Sequence, residues 1–379
     1  MPMTEQTITD ISVATVRGSL PAPVIFGDWV MRIREYAVVR VTCSDGVQGW
    51  AFTLTRDGAV AEHINKTLAG LYVGTRCEDV EATFRIASGR SPASHAAGIG
   101  LRALSIVDLA VWDARARTRG QPIAELLGGQ AEPMPATAII GYPPALMDAD
   151  QVFAQVTALR SQGWCRFKAP VGVDVHASVA RLKAARRAAE DAWIGHDGAW
   201  TFRDIDSAVA FLDQVQDISL GWFEDMFPPG NAAMVASLRS RTATPLAMGD
   251  EQGGSYYPEA LLAANAVDVV RIDLTCMGGI SGGRRIVDEC LAAGVAFTPH
   301  MFAHVHSRVF SGWGFSNLPV EWGVPWTGVD PYADSLEQPT LDELGRMLPL
   351  AQDPGFGDLV NREWIATQEY DDPDGILGR

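Results

Sequence analysis

The sequence lacks the marks of a membrane or secreted protein. No stretch approaches about eighteen consecutive apolar residues, and the first thirty residues carry Glu5, Asp10, Arg17 and Asp28 instead of a basic start and an apolar run. The five cysteines are odd in number, and none forms a CxxC pair. This usage is typical of reduced thiols and excludes a disulfide framework or a cysteine zinc site, so we expect a cytoplasmic protein.

Positive charge is also scarce. The chain has 30 Lys and Arg against 46 Asp and Glu, a net charge of −16 at pH 7. The electrostatic field of this negative charge repels nucleic acid and anionic lipid, so we expect neither a nucleic-acid partner nor a membrane partner. Only three of the basic residues are lysines, namely Lys66, Lys168 and Lys183. Because lysine, unlike arginine, can lose a proton near neutral pH, each lysine is a candidate for proton transfer.

The composition is that of a folded protein. With 379 residues, 47% of them hydrophobic, the chain fits two domains or one barrel with an appendage. Residues 33–41 and 47–53 are β-rich runs, whereas 60–87 and 97–119 repeat apolar residues at the helical period. The pattern predicts an α+β domain over residues 1–130.

After Pro135 short β-branched runs alternate with helical stretches. The predicted strands are eight in number: 136–141, 165–170, 192–197, 220–225, 245–250, 267–273, 295–300 and 317–321. This alternation predicts a (β/α)8 barrel, an α/β fold, over residues 131–325. A doubly wound open sheet also alternates, but no glycine-rich phosphate motif follows the first strand. Residues 326–379 do not continue the pattern, and we expect them to fold back on the domain of residues 1–130.

Charged residues stand at the ends of seven consecutive predicted strands. They are Arg166 and Lys168, then Asp197, Glu224, Asp250, Asp273, His300 and Glu321. Each carboxylate alone could cap the following helix. Together they would meet at the mouth of a parallel barrel, where the carboxylates would repel one another unless a cation lay between them or their pKa values were raised.

A metal site follows from three of these positions. Asp197, Glu224 and Asp250 offer oxygen ligands without cysteine or paired histidine, which favours Mg²⁺ first and Mn²⁺ second. Glu251 is the alternative third ligand. The metal would leave coordination positions open for water and a substrate carboxylate.

Two groups are candidate bases. We expect Lys168, beside Arg166 on one face of its strand, to have a lowered pKa and to act as a base. Across the barrel, Asp273 would orient His300 and raise its basicity. His304 and His306 lie beyond the strand end, where buried, hydrogen-bonded histidines are the ordinary expectation.

The motifs resemble the mandelate racemase-like branch of the enolase superfamily along the whole chain. They are RFK (166–168), HDGAW (196–200), WFED (222–225), MGDEQ (248–252), VVRID (269–273), TPH (298–300) and VE (320–321). The resemblance implies Mg²⁺, removal of the proton α to a carboxylate, bases at Lys168 and His300, and a positioning or proton-donating Glu321. Three positions depart from the family pattern: Arg166 replaces a lysine and is assigned to substrate binding, Ala199 replaces an asparagine, and Asp250 replaces a glutamate.

The resemblance favours a dehydratase of acid sugars. Such an enzyme converts an aldonate or aldarate into a 2-keto-3-deoxy acid, with His300 assisting departure of the β-hydroxyl. A racemase, epimerase or cycloisomerase would use the same groups, and a non-catalytic metal-binding barrel is the alternative outside enzymes. We expect a homo-oligomer acting on a small carboxylate, with specificity set by loops 18–30 and 52–60 over the barrel mouth.

Overall fold

The computed structural model describes residues 6–172, 174–250, 256–323, 327–328 and 330–378. The chain opens with an antiparallel meander of three strands, β1 (Ile8–Phe26), β2 (Trp29–Cys43) and β3 (Gln48–Leu54). The sequence predicted the second and third strands but not β1, which contains two prolines and a register shift between Ser19 and Val24. The expected loop 18–30 is therefore the tip of a long hairpin.

Helices pack on one face of this meander and form with it the capping domain. They are α1 (Val60–His63), α2 (Ala69–Tyr72), α3 (Val80–Arg90), α4 (Pro92–His95), α5 (Gly98–Thr118) and α6 (Ile123–Leu126). The predicted helical run 60–87 is interrupted: a π-helical turn (Ile64–Leu68) joins α1 to α2, and a 3₁₀ turn (Cys77–Asp79) precedes α3. Gly74 turns the chain between them with a φ of +88°. The predicted helical run 97–119 forms one continuous helix, α5, which is almost wholly buried.

Eight parallel strands form a nearly closed barrel, which confirms the predicted fold class. They are β4 (Met134–Ile139), β5 (Arg166–Pro170), β6 (Trp193–Asp197), β7 (Trp222–Glu224), β8 (Leu246–Met248), β9 (Val269–Ile272), β10 (Ala296–Pro299) and β11 (Val320–Gly323). Consecutive strands pair from β4 to β10, and β11 returns to pair with β4. Each observed strand overlaps a predicted one.

The helices that follow the strands cover the outside of the barrel. They are α7 (Ala149–Ser161), α8 (Val175–Ala189), α9 (Ile205–Gln214), α10 (Ala232–Arg239), α11 (Tyr256–Ala263), α12 (Gly279–Ala293) and α13 (Ala303–Gly312). Side-chain caps start several of them: Asp148 forms a capping box with Gln151, and Asp204 accepts from the Ser207 amide. Short 3₁₀ turns occupy Pro144–Leu146 and Gln216–Ile218.

The C-terminal segment returns to the capping domain. It contains α14 (Pro331–Asp334), β12 (Arg346–Met347), α15 (Arg362–Ile365) and β13 (Glu369–Asp371). Strand β12 pairs with β4, whereas β13 pairs antiparallel with β1. The Tyr332 ring stacks on Phe52 of β3 with centroids 4.3 Å apart. This segment thus contacts both the barrel and the meander.

Helix α5 joins the two parts of the molecule. On one side it packs so closely on β3 that a Cβ at Gly49 would lie 2.1 Å from the Ala110 carbonyl oxygen. On the other side the buried Asp108 carboxylate accepts a hydrogen bond from the Ser281 amide of α12 at 3.0 Å.

All five cysteines are free thiols, and four of them are buried. No helix in the described ranges combines the length and apolar character needed to cross a membrane.

Candidate active site

A small cavity of about 40 Å³ opens at the carboxyl ends of the barrel strands. Lys168, Asp197, Asp225 and His300 line its barrel side, and Phe26, Arg34 and Arg56 line it from the capping domain. The capping domain therefore covers the carboxyl ends of the strands, where parallel barrels place their active sites. A larger cavity lies between Trp50 and the C-terminal segment, away from these groups.

Lys168 lies in the centre of the charged cluster. Its Nζ is within 3.3 Å of both Glu224 and Glu321, and 3.6 Å from Asp197. Burial alone would lower its pKa, but Glu224, Glu321 and Asp197 outweigh burial and raise the pKa of Lys168 above its usual value. The predicted lowering of this pKa is therefore wrong for this arrangement of the side chains.

Arg166 does not reach the cavity. Its guanidinium stacks over the Trp193 ring at 4.1 Å, and its Nε donates to Thr137 Oγ1 at 3.3 Å. Two residues along a strand span about 6.6 Å, so Arg166 shares the face of Lys168 but lies one layer deeper in the barrel. The arrangement gives no support for the predicted substrate contact of Arg166.

Arg271 supplies the buried charge that the sequence analysis missed. Its side chain is fully buried inside the barrel, and its Nε donates to Glu224 Oε1 at 3.0 Å. It also donates to Glu321 and Thr298. The motif VVRID contains the signal, because Arg271 lies two residues before Asp273 and therefore on the same strand face.

His300 and Asp273 form the predicted pair. The Nδ1–H of His300 donates to Asp273 Oδ2 at 3.3 Å and lies 3.1 Å from Asp250 Oδ2. Although burial opposes it, Asp250 and Asp273 raise the pKa of His300. Burial would raise the pKa of Asp273, but the hydrogen bond from His300 and the nearby His306 lower it to about 2. Asp273 is therefore an ionised acceptor that fixes the imidazole.

His304 and His306 are buried and hydrogen-bonded, as expected. His306 donates from Nδ1 to the Met301 carbonyl and accepts the Leu274 amide at Nε2. His304 donates from Nε2 to the Glu337 carbonyl, and burial lowers its pKa to about 4.

Glu321 is held as a carboxylate. Lys168, Arg271 and the Met301 amide all donate to it. Burial would raise its pKa, but Arg271 and Lys168 lower it to about 2. An ionised Glu321 accepts hydrogen bonds from these three groups, and its role toward the substrate, positioning or proton donation, stays a prediction.

Three carboxylate oxygens at the site lack hydrogen-bond partners within the described residues. They are Glu224 Oε2 and both Asp250 carboxylate oxygens, all buried. Two of them face charged groups, since Glu224 Oε2 lies 3.3 Å from Lys168 Nζ and Asp250 Oδ2 lies 3.1 Å from His300 Nδ1. Buried carboxylate oxygens without hydrogen bonds fit a cation. In their present rotamers, no three carboxylate, imidazole or thiol groups of the described ranges lie close enough together to hold a metal. Glu224 instead pairs with Lys168 and Arg271. The alternative ligand Glu251 lies outside the described residues.

Asp225 also belongs to the site, although the sequence analysis did not select it. It lines the cavity, accepts the Trp200 indole N–H at 3.2 Å, and has a φ of +45°. Burial and the neighbouring Asp250, Asp197 and Glu224 raise its pKa. Ala199, Trp200, Met301 and Phe302 also have positive φ at strand ends, the strained backbone that is typical of functional sites.

Fold and site together define a member of the enolase superfamily. The sequence model described as enolase C-terminal domain-like matches residues 151–364, and the mandelate racemase / muconate lactonizing enzyme N-terminal domain matches residues 8–128. The chain belongs to this mandelate racemase / muconate lactonizing enzyme family.

Relatives along the chain differ in activity. The D-galactarolactone cycloisomerase of Agrobacterium fabrum is 23% identical over 90% of this chain and 93% of its own. The L-talarate/galactarate dehydratase of Salmonella typhimurium is 26% identical over 78% of this chain and 73% of its own. The L-talarate dehydratase of Polaromonas sp. JS666, solved with Mg and L-glucarate, superimposes with a TM-score of 0.83 at 19% identity, covering 97% of this chain and 98% of that one.

Proposed function

We propose that this protein is a Mg²⁺-dependent dehydratase of an acid sugar. It would remove the proton α to a carboxylate and eliminate the β-hydroxyl, giving a 2-keto-3-deoxy acid. The observation that carries the proposal is one enclosed cavity that joins an Asp-oriented histidine, a lysine and a cluster of carboxylates. The relatives named as dehydratases of acid sugars support the choice of reaction.

Asp197, Glu224 and Asp250 would hold the metal. Their donor atoms are the hard oxygens that Mg²⁺ prefers, with Mn²⁺ as the second choice, and three of these oxygens lack hydrogen bonds within the described ranges. When bound, the metal would supply positive charge to a substrate carboxylate that gains negative charge as the α-proton leaves. Asp225, next to Glu224, would add a further acidic oxygen at the same cavity wall.

The chain's own residues would move the protons. Lys168 and His300 both line the cavity, from strand β5 and from the end of β10. Either could take the α-proton, and protonated His300, oriented by Asp273, would deliver a proton to the departing β-hydroxyl. Glu321 would position Lys168 through their hydrogen bond of 3.1 Å.

The capping domain would keep water from the reacting groups. The hairpin tip reaches the barrel loops: the Gly27 amide donates to the Ala199 carbonyl at 2.8 Å, and Phe26 packs on Trp200 at 5.5 Å. Excluding water strengthens every electrostatic contact inside the cavity. For this reason we expect that the barrel alone does not catalyse the reaction.

Screening a library of acid sugars with Mg²⁺ for keto-acid formation tests this function. We expect Asp197→Ala and Glu224→Ala each to abolish turnover and to lose the thermal stabilisation that Mg²⁺ gives the wild type. The control Asp206→Ala, at an exposed carboxylate paired with Arg241, should keep both. Full turnover by protein from which EDTA has removed the metal would contradict the proposal.

A cycloisomerase or racemase is the second candidate. The cycloisomerase relative, aligned over 90% of this chain, favours it, and the same two bases would serve. The product discriminates: a dehydratase releases a keto acid, whereas an isomerase returns a compound of unchanged mass.

A further inference from the structure

The cavity has two ends of opposite charge. Its barrel end presents the acidic side chains of Asp197 and Asp225, whereas its capping end presents the guanidinium groups of Arg34, on β2, and Arg56, just after β3. The bases Lys168 and His300 lie on the barrel side. The proposed chemistry uses only the barrel end, so the two arginines need a separate explanation.

Part of the Arg34 guanidinium makes no hydrogen bond within the described residues. Its side chain is buried, with 2% of its surface exposed, and Nη2 donates to the Tyr142 hydroxyl at 3.1 Å. Its Nε–H and Nη1–H groups are buried without a hydrogen-bond partner among the described residues. Asp330 and Asp334 both interact electrostatically with Arg34. Asp330 Oδ1 already accepts the Tyr36 hydroxyl at 2.6 Å and the Ala333 amide. Leaving such donors unpaired in a buried site is costly.

Arg56 adds a second cation to the same wall. Its guanidinium lies 5.8 Å from the ring centroids of Phe26 and Trp29. Burial, together with repulsion from Arg34 and Arg102, lowers the pKa of Arg56 to about 10. Arg34 and Arg56 thus place two guanidinium groups on the capping side of one cavity, an arrangement that favours an anion beside them.

We propose that Arg34, supported by Arg56, binds a second carboxylate of the substrate, so that the enzyme acts on dicarboxylic acid sugars in preference to monocarboxylic ones. This inference rests on the proposed function for the identity of the reacting end. An aldarate places one carboxylate at the acidic, metal-binding end and the other at the arginine end. An aldonate ends in a neutral hydroxyl, which would leave the buried Nε–H and Nη1–H donors of Arg34 without a charged acceptor.

Matched acid sugars test the proposal directly. Galactarate and galactonate, or glucarate and gluconate, differ only at the terminal carbon, and each pair is compared by kcat/KM on the full-length protein. We expect the wild type to favour the diacid by roughly 30-fold or more, as a buried charge-assisted contact provides. Arg34→Gln should remove this preference by lowering kcat/KM for the diacid, while the monoacid changes less than about threefold.

Two further variants separate the charge from other effects. Arg34→Lys keeps the charge with fewer donors and should retain an intermediate preference for the diacid. Arg241→Gln removes an exposed arginine that pairs with Asp206 and should leave the preference unchanged. Equal loss of both substrates in a folded Arg34→Gln protein would overturn the proposal.

Binding measurements keep the inference distinct from the reaction itself. Calorimetric titration of wild-type protein with each acid in the presence of Mg²⁺ requires no turnover and no variant. Tighter binding of the diacid supports the arginine site even if no dehydration occurs, in which case only the proposed function fails. Equal or tighter binding of the monoacid rejects the arginine site, whatever the reaction.

Discussion

Lys168 and Glu321 show how neighbours decide the state of a single residue. The sequence predicts that Arg166 would lower the pKa of Lys168, but three carboxylates surround its Nζ and raise that pKa. The same contacts lower the pKa of Glu321 to about 2. For either group to change protonation state, the charges around it must change, and a metal or a substrate carboxylate at the site would provide such a change.

The two bases can be assigned by isotope exchange. We expect His300→Asn to eliminate keto-acid formation, because it removes the acid for the leaving hydroxyl. Exchange of the α-proton in D₂O should survive this change if Lys168 is the abstracting base, and Lys168→Ala should then remove it. Loss of exchange and elimination together in His300→Asn assigns both steps to His300 and leaves Lys168 an electrostatic role. Keto-acid formation at the wild-type rate by His300→Asn would contradict the dehydratase mechanism.

At the scale of elements, close packing of α5 on β3 depends on Gly49. We expect Gly49→Ala to destabilise the protein by several kcal/mol, roughly 3 or more, because the added methyl group would overlap the Ala110 carbonyl and the Ala114 amide. The control Gly89→Ala adds the same methyl group in α3, where nothing lies within 4 Å, and should be neutral or slightly stabilising. Urea unfolding of both variants measures the difference, and equal stability of the two would refute this account of the packing.

The contact of α5 with α12 should depend on pH. Burial raises the pKa of Asp108 to about 7, although the hydrogen bonds from Ser281 oppose this. Between pH 4 and 7 the folded state keeps this proton while the unfolded state has lost it, so Asp108 makes stability fall as pH rises.

We expect Asp108→Asn to remove that contribution. The free energy of unfolding of the wild type should fall between pH 5 and pH 8 by about 2–3 kcal/mol more than that of the variant. Denaturant unfolding at the two pH values gives both differences, and parallel pH profiles would show that Asp108 is ionised in the folded protein.

At the scale of the whole molecule, the chain end completes the capping domain. Strand β13 covers the edge of β1, and Ile376 and Leu377 are buried beyond it. Removing residues 369–379 should therefore lower the free energy of unfolding by about 3–6 kcal/mol, because apolar burial is lost. It should also expose a sheet edge. Differential scanning calorimetry should show a lower Tm for the truncated chain, whereas Asp374→Ala, at an exposed position, should not change the Tm. An unaltered Tm after truncation would rule out this role.

Local sequence patterns were sufficient to predict the barrel and its acidic strand ends. Local periodicity predicts strands and helices, and parallel strands bring their carboxyl ends to one edge, so Asp197, Glu224 and His300 could be selected without coordinates. Strand β1 was missed because its prolines obscure the β pattern.

The contacts of individual side chains could not be predicted from local patterns, because they depend on the packing of distant elements. The depth of Arg166 in the barrel and the pairing of Arg271 with Glu224 depend on how distant elements pack. So does the approach of Arg34 to a cavity whose barrel wall lies more than 100 residues further along the chain. Electrostatic interactions act through space, so residues that are remote in sequence determine the charge state and the ligand of the site.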